Sequence, residues 1–432
     1  MEPGAGAAAI AERIESAIAG QELEPAARLP AVRDLATELE VSPATVAAAY
    51  RTLRERGLVN ANRRSGTVVA DQPPLRVIGR PVPPGARDLA SGNPDPALLP
   101  PLGPALARVD AEHKLYGGPT TLGRLVELAR ADFAADGIEG DIAIVGGALD
   151  AIERLLQTQL RPGDRVAVED PSWPRITDLI RALGLQPEPA EVDQRGLVPG
   201  ALDAALQRGT KAVISTPRGQ NPTGAAVDAG RRGELLAVLG RHPDVLVVED
   251  DYVASVAGAP YFGLHGANER WAVIRSLSKV LGPDLRVAPV TGDPLTISRL
   301  EGRQLLGAGW VSHLLQQTAA SLWASAATRK LLTRTERAYS ERRAAVVDAL
   351  ARRGIAAYGK SGLGVWVPLA EEVATVQSLL ERGWAVSAGE RYRFRTPPGI
   401  RITTTALEPR DAEALAEALA DALGATATTY AG

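Results

Sequence analysis

No cysteine occurs in the 432-residue chain, which excludes disulfide staples and thiolate metal sites. The four histidines (His113, His242, His265, His313) are scattered and lack the short spacings that ligate a metal, so no metal site is expected. No apolar run reaches the roughly 20 residues that span a bilayer. The opening Met1-Glu2-Pro3-Gly4 lacks the basic start of a secretory signal, and the expectation is a soluble cytoplasmic protein. An excess of positive charge is also missing. The formal charge is −3, so no global basic field holds nucleic acid, and any DNA contact must come from a local patch. Lysine is scarce, at five residues in a chain that otherwise takes its positive charge from arginine. What remains is ordinary globular composition, 45% hydrophobic and 23% charged, in a chain too long for one small domain.

The chain divides at a proline-rich seam. Residues 1–71 predict three helices and a hairpin. Ala7–Ala19 is amphipathic, with Ile10, Ile14 and Ile18 four apart. Pro30–Leu39 reads as a second helix with proline in its first turn. Ser42 is a suitable N-cap, Pro43 follows at the first helical position, and Val46, Tyr50 and Leu53 recur at helical spacing until Gly57. Leu58-Val59 and Thr67-Val68-Val69 then predict short strands around a polar turn, Asn60–Gly66. This order predicts a winged helix-turn-helix. Residues 72–87 hold Pro73, Pro74, Pro81, Pro83 and Pro84 and predict an extended linker. From residue 88 to 432, strand-like runs (165–169, 212–215, 245–249, 272–275) alternate with helical stretches such as 148–160. That alternation predicts an α/β domain with a mainly parallel sheet, its ligands beyond the C-terminal strand ends.

Arg28-Leu29-Pro30-Ala31-Val32-Arg33-Asp34-Leu35-Ala36, Val41-Ser42-Pro43-Ala44-Thr45-Val46, Tyr50-Arg51-Thr52-Leu53 and Ser65-Gly66-Thr67-Val68-Val69 closely resemble the GntR family of winged-helix regulators. The resemblance implies Arg33 near a base edge, Thr45 on the recognition helix and Gly66 at the wing tip. Guanidinium suits guanine and phosphate, and a hydroxyl suits either phosphate or base. The positive footprint is local. Residues 1–40 carry three arginines against eight acids, whereas Arg51, Arg54, Arg56, Arg63 and Arg64 face only Glu55. Arg51, Arg63 and Arg64 are therefore further DNA-binding candidates, and double-stranded DNA is the expected partner. The recognition helix is rich in alanine (Ala44, Ala47, Ala48, Ala49), so few of its side chains can read sequence.

In the larger part, Lys279 stands out in Ser276-Leu277-Ser278-Lys279, with Arg286 seven positions on. A desolvated lysine can lose its proton and condense with an aldehyde, which arginine cannot. The apolar run Val245–Val248 ends in Glu249-Asp250-Asp251-Tyr252. Acids at a strand end are by themselves ordinary loop acids. The next strand, however, delivers Ser276, Ser278 and Lys279 to the same edge. Such a set suits pyridoxal 5′-phosphate, which needs an amine, a carboxylate for its pyridine nitrogen, and donors for its phenolic oxygen and phosphate.

With Thr216-Pro217-Arg218-Gly219-Gln220-Asn221-Pro222-Thr223-Gly224 added, residues 88 onward resemble the class I aminotransferases of pyridoxal phosphate fold type I. The resemblance implies an α/β domain with a smaller C-terminal α+β subdomain, and a set of roles. Lys279 is the Schiff-base lysine. Asp250 serves the pyridine nitrogen, Asn221 and Tyr252 the phenolic oxygen. Ser276, Ser278, Arg286 and the helix start Gly146-Gly147-Ala148 serve the phosphate. Trp173, in Asp170-Pro171-Ser172-Trp173, stacks on the ring. Arg401, in Gly399-Ile400-Arg401-Ile402, binds an effector carboxylate. Tyr116, in Leu115-Tyr116-Gly117-Gly118-Pro119, reaches the partner's phosphate, which makes a homodimer necessary. Two positions depart from the pattern, Ala148 lacking a hydroxyl and Leu149 replacing a polar residue.

The fusion as a whole resembles the MocR subfamily of bacterial transcription regulators. That implies a dimer, of a kind often domain-swapped head to tail, which senses an amine, an amino acid or the cofactor itself by exchange at Lys279, and is not a dedicated enzyme. A working aminotransferase with an accessory DNA-binding module is the alternative. A regulator that has lost the cofactor is a third reading.

Overall fold

The structure, a computed structural model, describes residues 6–19, 22–24, 26–55, 58–62, 66–70 and 82–429. Gly57, Arg63, Arg64 and residues 71–81, which include the first part of the expected 72–87 linker, lie outside the described residues.

The N-terminal unit is built from α1 (Ala7–Ala19), α2 (Val32–Glu38), α3 (Pro43–Glu55) and an antiparallel hairpin, β1 (Val59–Asn62) with β2 (Gly66–Val69). Ile10, Ile14 and Ile18 meet Leu35, Val46, Tyr50 and Leu53 in one core. Ser42 caps α3, its Oγ accepting the Thr45 amide at 3.1 Å, a contact of about 1 kcal/mol. The expected helix from Pro30 begins instead after Ala31. Two contacts hold the preceding chain extended. The Tyr50 hydroxyl donates to the Pro30 carbonyl at 2.9 Å, and Arg28 bridges Val68 of the hairpin. β1 runs through Asn62 and β2 begins at Gly66, so both ends of the expected 60–66 turn lie in strands.

The large domain carries an eight-stranded sheet. In chain order its strands come after β3 (Arg87–Asp88), a short strand outside this sheet. They are β4 (Asp141–Val145), β5 (Arg165–Asp170), β6 (Gln186–Asp193), β7 (Gly196–Leu197), β8 (Ala212–Ser215), β9 (Leu246–Asp250), β10 (Trp271–Ile274) and β11 (Ala288–Gly292). Their spatial order is β4-β11-β10-β9-β8-β5-β6-β7. β11 runs against both β10 and β4, and β7 runs against β6; the pairs from β10 through β6 are parallel. β8, β9, β10 and β11 are buried at every position, because helices cover both faces. Successive side chains alternate. Ile214, Leu246, Val248 and Ile274 pack on one face with Ile152, Leu155, Ile180 and Leu300. Val213, Val247 and Val273 pack on the other with Phe133, Leu202, Leu206 and Leu235. The two sets of helices are α6 (Ala148–Gln159), α7 (Pro174–Ala182) and α10 (Pro294–Leu305), and α5 (Gly123–Ala135), α8 (Pro199–Gln207) and α9 (Ala229–Leu239), numbered after α4 (Gly103–Leu106).

After α11 (His313–Ala324) and α12 (Ala326–Ala351), a smaller subdomain forms. β12 (Gly364–Pro368), β15 (Gly399–Thr403) and β14 (Ser387–Ala388) make an antiparallel sheet. α12, α13 (Glu372–Glu381) and α14 (Ala412–Thr429) supply its core. β13 (Trp384–Ala385) pairs with β3, so the residue expected to end the linker, Arg87, already lies in a strand. No helix among the described residues is long and apolar enough to cross a membrane.

Candidate functional site

β8, β9 and β10 are parallel neighbours, so the segments after them emerge at one sheet edge. They line a cavity of about 480 Å³ together with Ala148, Trp173, the chain at 91–93 and the subdomain's Gly364 and Arg401. The cavity gathers Trp173, Ala148, Asn221, Asp250, Tyr252, Ser276, Ser278, Lys279, Arg286 and Arg401 from distant parts of the sequence. Gly147 abuts it. Its φ is +126°, and a Cβ there would lie 2.2 Å from the Arg286 guanidinium, so only glycine lets the arginine approach. Tyr116 is not in the chain's own cavity. It is 92% exposed, its ring edge-on to Trp310 at 5.5 Å. A larger cavity, about 750 Å³, lies beyond Thr223-Gly224 and holds none of the expected site residues.

Sequence patterns misplace some ends, with consequences. β9 runs from Leu246 to Asp250 rather than 245–249, and β10 from Trp271 to Ile274. Asp250 is therefore the last paired residue of its strand, opposite Ile274 of β10. The Gly146 amide donates to Asp150 Oδ2 at 2.9 Å and is committed; the amides of the first turn of α6 remain without intrahelical partners.

Burial shapes the electrostatics. Asp250 is 3% exposed, and its Oδ1 has no hydrogen-bond partner among the described residues. Burial, reinforced by Asp251 and Glu169, pushes its carboxyl up to about 7, with Lys279 opposing. Burial lowers the Lys279 amine to about 8, aided by Arg401 and opposed by Asp250. Roughly a tenth of that amine is thus neutral at pH 7, against less than about one part in two thousand for an ordinary lysine. Burial, with Asp250 second, holds the Tyr252 phenol well above its usual value, so it stays a donor, here to the Gly219 carbonyl at 2.7 Å. Ser276 and Ser278 share a hydrogen bond at 2.8 Å. Arg401 donates to Asn221 Oδ1 at 3.1 Å and to the Ala90 carbonyl, lies over the Tyr392 ring, and keeps a buried Nε without a partner among the described residues.

A buried ion network braces the site from behind. Arg218 and Arg275 both bind Asp251, with nitrogen–oxygen distances of 2.8–2.9 Å. Arg275 reaches on to Asp132 at 2.7 Å and to Asp136. These residues sit beside Asn221, Asp250 and Ser276 in sequence, so the network ties together the three strand ends that present them. The sequence reading missed it, since the pairings link α5 to three loops. Nor did it place Arg175 or residues 91–93 at the cavity.

The donor set fits pyridoxal 5′-phosphate. The orphaned Asp250 oxygen calls for a buried donor or cation. The close pairing of Gly147 and Arg286 beside a helix start, with two serines, forms a cradle for a phosphate. A partly neutral lysine lines the same cavity.

On the N-terminal unit, Arg33 and Arg51 are exposed on α2 and α3. Thr45 sits in the first turn of α3, its Oγ1 2.8 Å from Ser42 Oγ. Gly66 has φ +77°, and the Arg28 guanidinium lies 3.5 Å from where its Cβ would be. Arg28 thus stands at the base of the wing, a position hidden from local pattern because only the bridge to Val68 brings it there.

Residues 88–419 match the family described as aminotransferase class I and II, and residues 7–69 match the bacterial regulatory proteins of the gntR family, a DNA-binding domain. The vitamin B6 salvage pathway transcriptional repressor PtsJ of Salmonella typhimurium is 40% identical over 400 residues, covering 91% of this chain and 93% of that one. The HTH-type pyridoxine biosynthesis transcriptional regulator PdxR of Corynebacterium glutamicum is 30% identical, over 79% and 78%. In fold, the kynurenine aminotransferase of Pyrococcus horikoshii superposes with a TM-score of 0.72 at 22% identity, over 79% of this chain and 91% of that one. With a GntR head and an aminotransferase body on one chain, this protein belongs to the MocR-type transcriptional regulators.

Proposed function

We propose that the protein is a vitamin B6-responsive regulator that holds pyridoxal 5′-phosphate at Lys279 and changes its grip on DNA accordingly. One observation carries this reading: a buried, unpartnered Asp250 oxygen and a lysine lowered to about 8 face the same cavity. When bound, the cofactor supplies an aldehyde that captures primary amines reversibly. Lys279 provides the amine. Asp250 holds a proton on the pyridine nitrogen. Asn221 and Tyr252 donate to the phenolic oxygen, and Trp173 covers the ring. Ser276, Ser278, Arg286 and the amides at Gly147 and Ala148 bind the phosphate. Arg401, with its free Nε, takes the carboxylate of an incoming amino acid. The names of the two relatives support vitamin B6 as the signal.

A homodimer completes the site in this reading. Tyr116 is 92% exposed, with Leu115 beside it at 79%, and is free to meet a second copy. Tyr116 then reaches the phosphate of the second copy.

For the DNA-reading head, Arg51 serves as a phosphate contact and Arg33 as a base contact. Binding to a duplex from upstream of its own gene should weaken linearly in log salt, by about 0.9 per phosphate neutralised. Arg51→Ala should reduce that slope by about 1, while Arg33→Ala should weaken the preferred sequence about tenfold or more and relax preference at one position. Fluorescence anisotropy across a salt series reads both. Equal affinity for all sequences in the intact protein, unaltered by either change, would remove the assigned face.

A further inference from the structure

The chain from Asp88 to Asn93 enters the cavity directly from the linker that carries the DNA-binding head. It is held at both ends. Leu89 donates to the Ala385 carbonyl and accepts from the Thr403 amide, both at 2.8 Å. The Thr405 hydroxyl donates to the Asn93 carbonyl at 2.6 Å. Asp88 Oδ1 accepts the Ala90 and Ser91 amides at 2.9 Å each. Between these anchors, two carbonyls point at cavity cations. Lys279 Nζ donates to the Gly92 oxygen at 2.9 Å, and Arg401 Nη2 donates to the Ala90 oxygen, which also accepts from Ser387 Oγ at 3.1 Å. Gly92 has φ +64°, and a Cβ there would stand 3.4 Å from the Arg401 guanidinium. The left-handed φ favours glycine there, and the backbone lies alongside the guanidinium in ordinary contact.

We infer that residues 88–93 are a strap that competes with the ligand for Lys279 and Arg401, and so relays the state of the cavity to the linker. The inference rests on the proposed function of those two residues. Condensation of the neutral amine with an aldehyde replaces two N–H bonds by one C=N double bond and releases water. The nitrogen then carries at most one hydrogen, where a protonated lysine carries three, and the Gly92 carbonyl loses its donor. A carboxylate on Arg401 likewise displaces the Ala90 carbonyl, since a charged acceptor outbids a neutral one. The Ala90 oxygen keeps the Ser387 hydroxyl, but a half-buried Gly92 carbonyl without a donor is unfavourable, so the strap shifts as the cavity fills. The ligand has different affinity for the two strap positions, which is what a population shift requires. Asp88 and Ser387 bond the strap itself, and neither is among the residues assigned to the cofactor.

The test uses full-length protein and hydrogen exchange in the 88–93 peptide. Pyridoxal 5′-phosphate should speed exchange there, and pyridoxine 5′-phosphate, an alcohol that cannot condense, should not. A visible absorption band from bound aldehyde with unchanged exchange would overturn the strap. Absence of the band would instead sink the cofactor reading, and the strap with it. In the double variant Asp88→Ala, Ser387→Ala the band should persist. The change in DNA affinity on adding pyridoxal 5′-phosphate, expected at about 5- to 150-fold in the parent, should shrink to under about twofold in the variant. An undiminished DNA response beside a normal band would also overturn the proposal.

Discussion

Lys279→Ala should abolish covalent capture of pyridoxal 5′-phosphate. After borohydride treatment the parent should carry one cofactor mass per chain on the peptide containing residue 279, and the variant none. Scarcity and placement both support this expectation. Of five lysines in the chain, this one lies in the cavity beside Asp250, Asn221 and Arg401. Its amine is lowered to about 8, first by burial and then by the Arg401 charge. The attacking form is neutral, so the parent's capture rate should climb about tenfold per pH unit below that value and flatten above it. Lys279→Arg should retain the positive charge yet capture nothing, because guanidinium does not deprotonate at working pH. Capture by either variant at the parent's rate would place the chemistry on another lysine, such as Lys360 of the larger cavity.

Asp250→Ala should separate binding from stability. In the folded protein this buried carboxyl lines the cavity with one oxygen unsatisfied among the described residues, and burial together with Asp251 and Glu169 opposes its ionisation. A group so placed weakens the fold unless something cationic meets it. The pyridine nitrogen, once protonated, is that cation in the proposed site. Removing one partner of a buried charge pair costs about 3–5 kcal/mol, or roughly 10²- to 4 × 10³-fold in affinity. Absorbance titration should show that loss for pyridoxal 5′-phosphate. The urea midpoint of the ligand-free variant should meanwhile hold or rise, because an unpaired buried acid has gone. A fall in stability with unchanged affinity would make Asp250 a purely structural residue.

The sequence displays local and periodic features well, and long-range ones poorly. The Ser42 cap, the Val46-Tyr50-Leu53 stripe and the strand–helix alternation are each decided by residues a few positions apart, and each is found in the fold. The motif residues of the cavity are legible because parallel strands deliver their C-terminal loops to one edge. The strap is not. Its bonds to Ala385, Ser387 and Thr403 cross about three hundred positions, and no local pattern announces them. Pro30 misleads for the same reason, since its helix-starting tendency yields to the Tyr50 hydroxyl twenty residues away. Arg218, Arg275 and Asp251 read as loop charges until the fold closes them into one buried cluster.

The central claim is that chemistry at Lys279 governs the DNA-reading head. Its most direct test is the affinity of full-length protein for DNA from upstream of its own gene, titrated with pyridoxal 5′-phosphate in the parent and in Lys279→Arg. The account predicts a shift in the parent that saturates with the visible band, and a flat response in the variant. Identical responses in both proteins, or a fully loaded parent whose DNA affinity does not move, would contradict it.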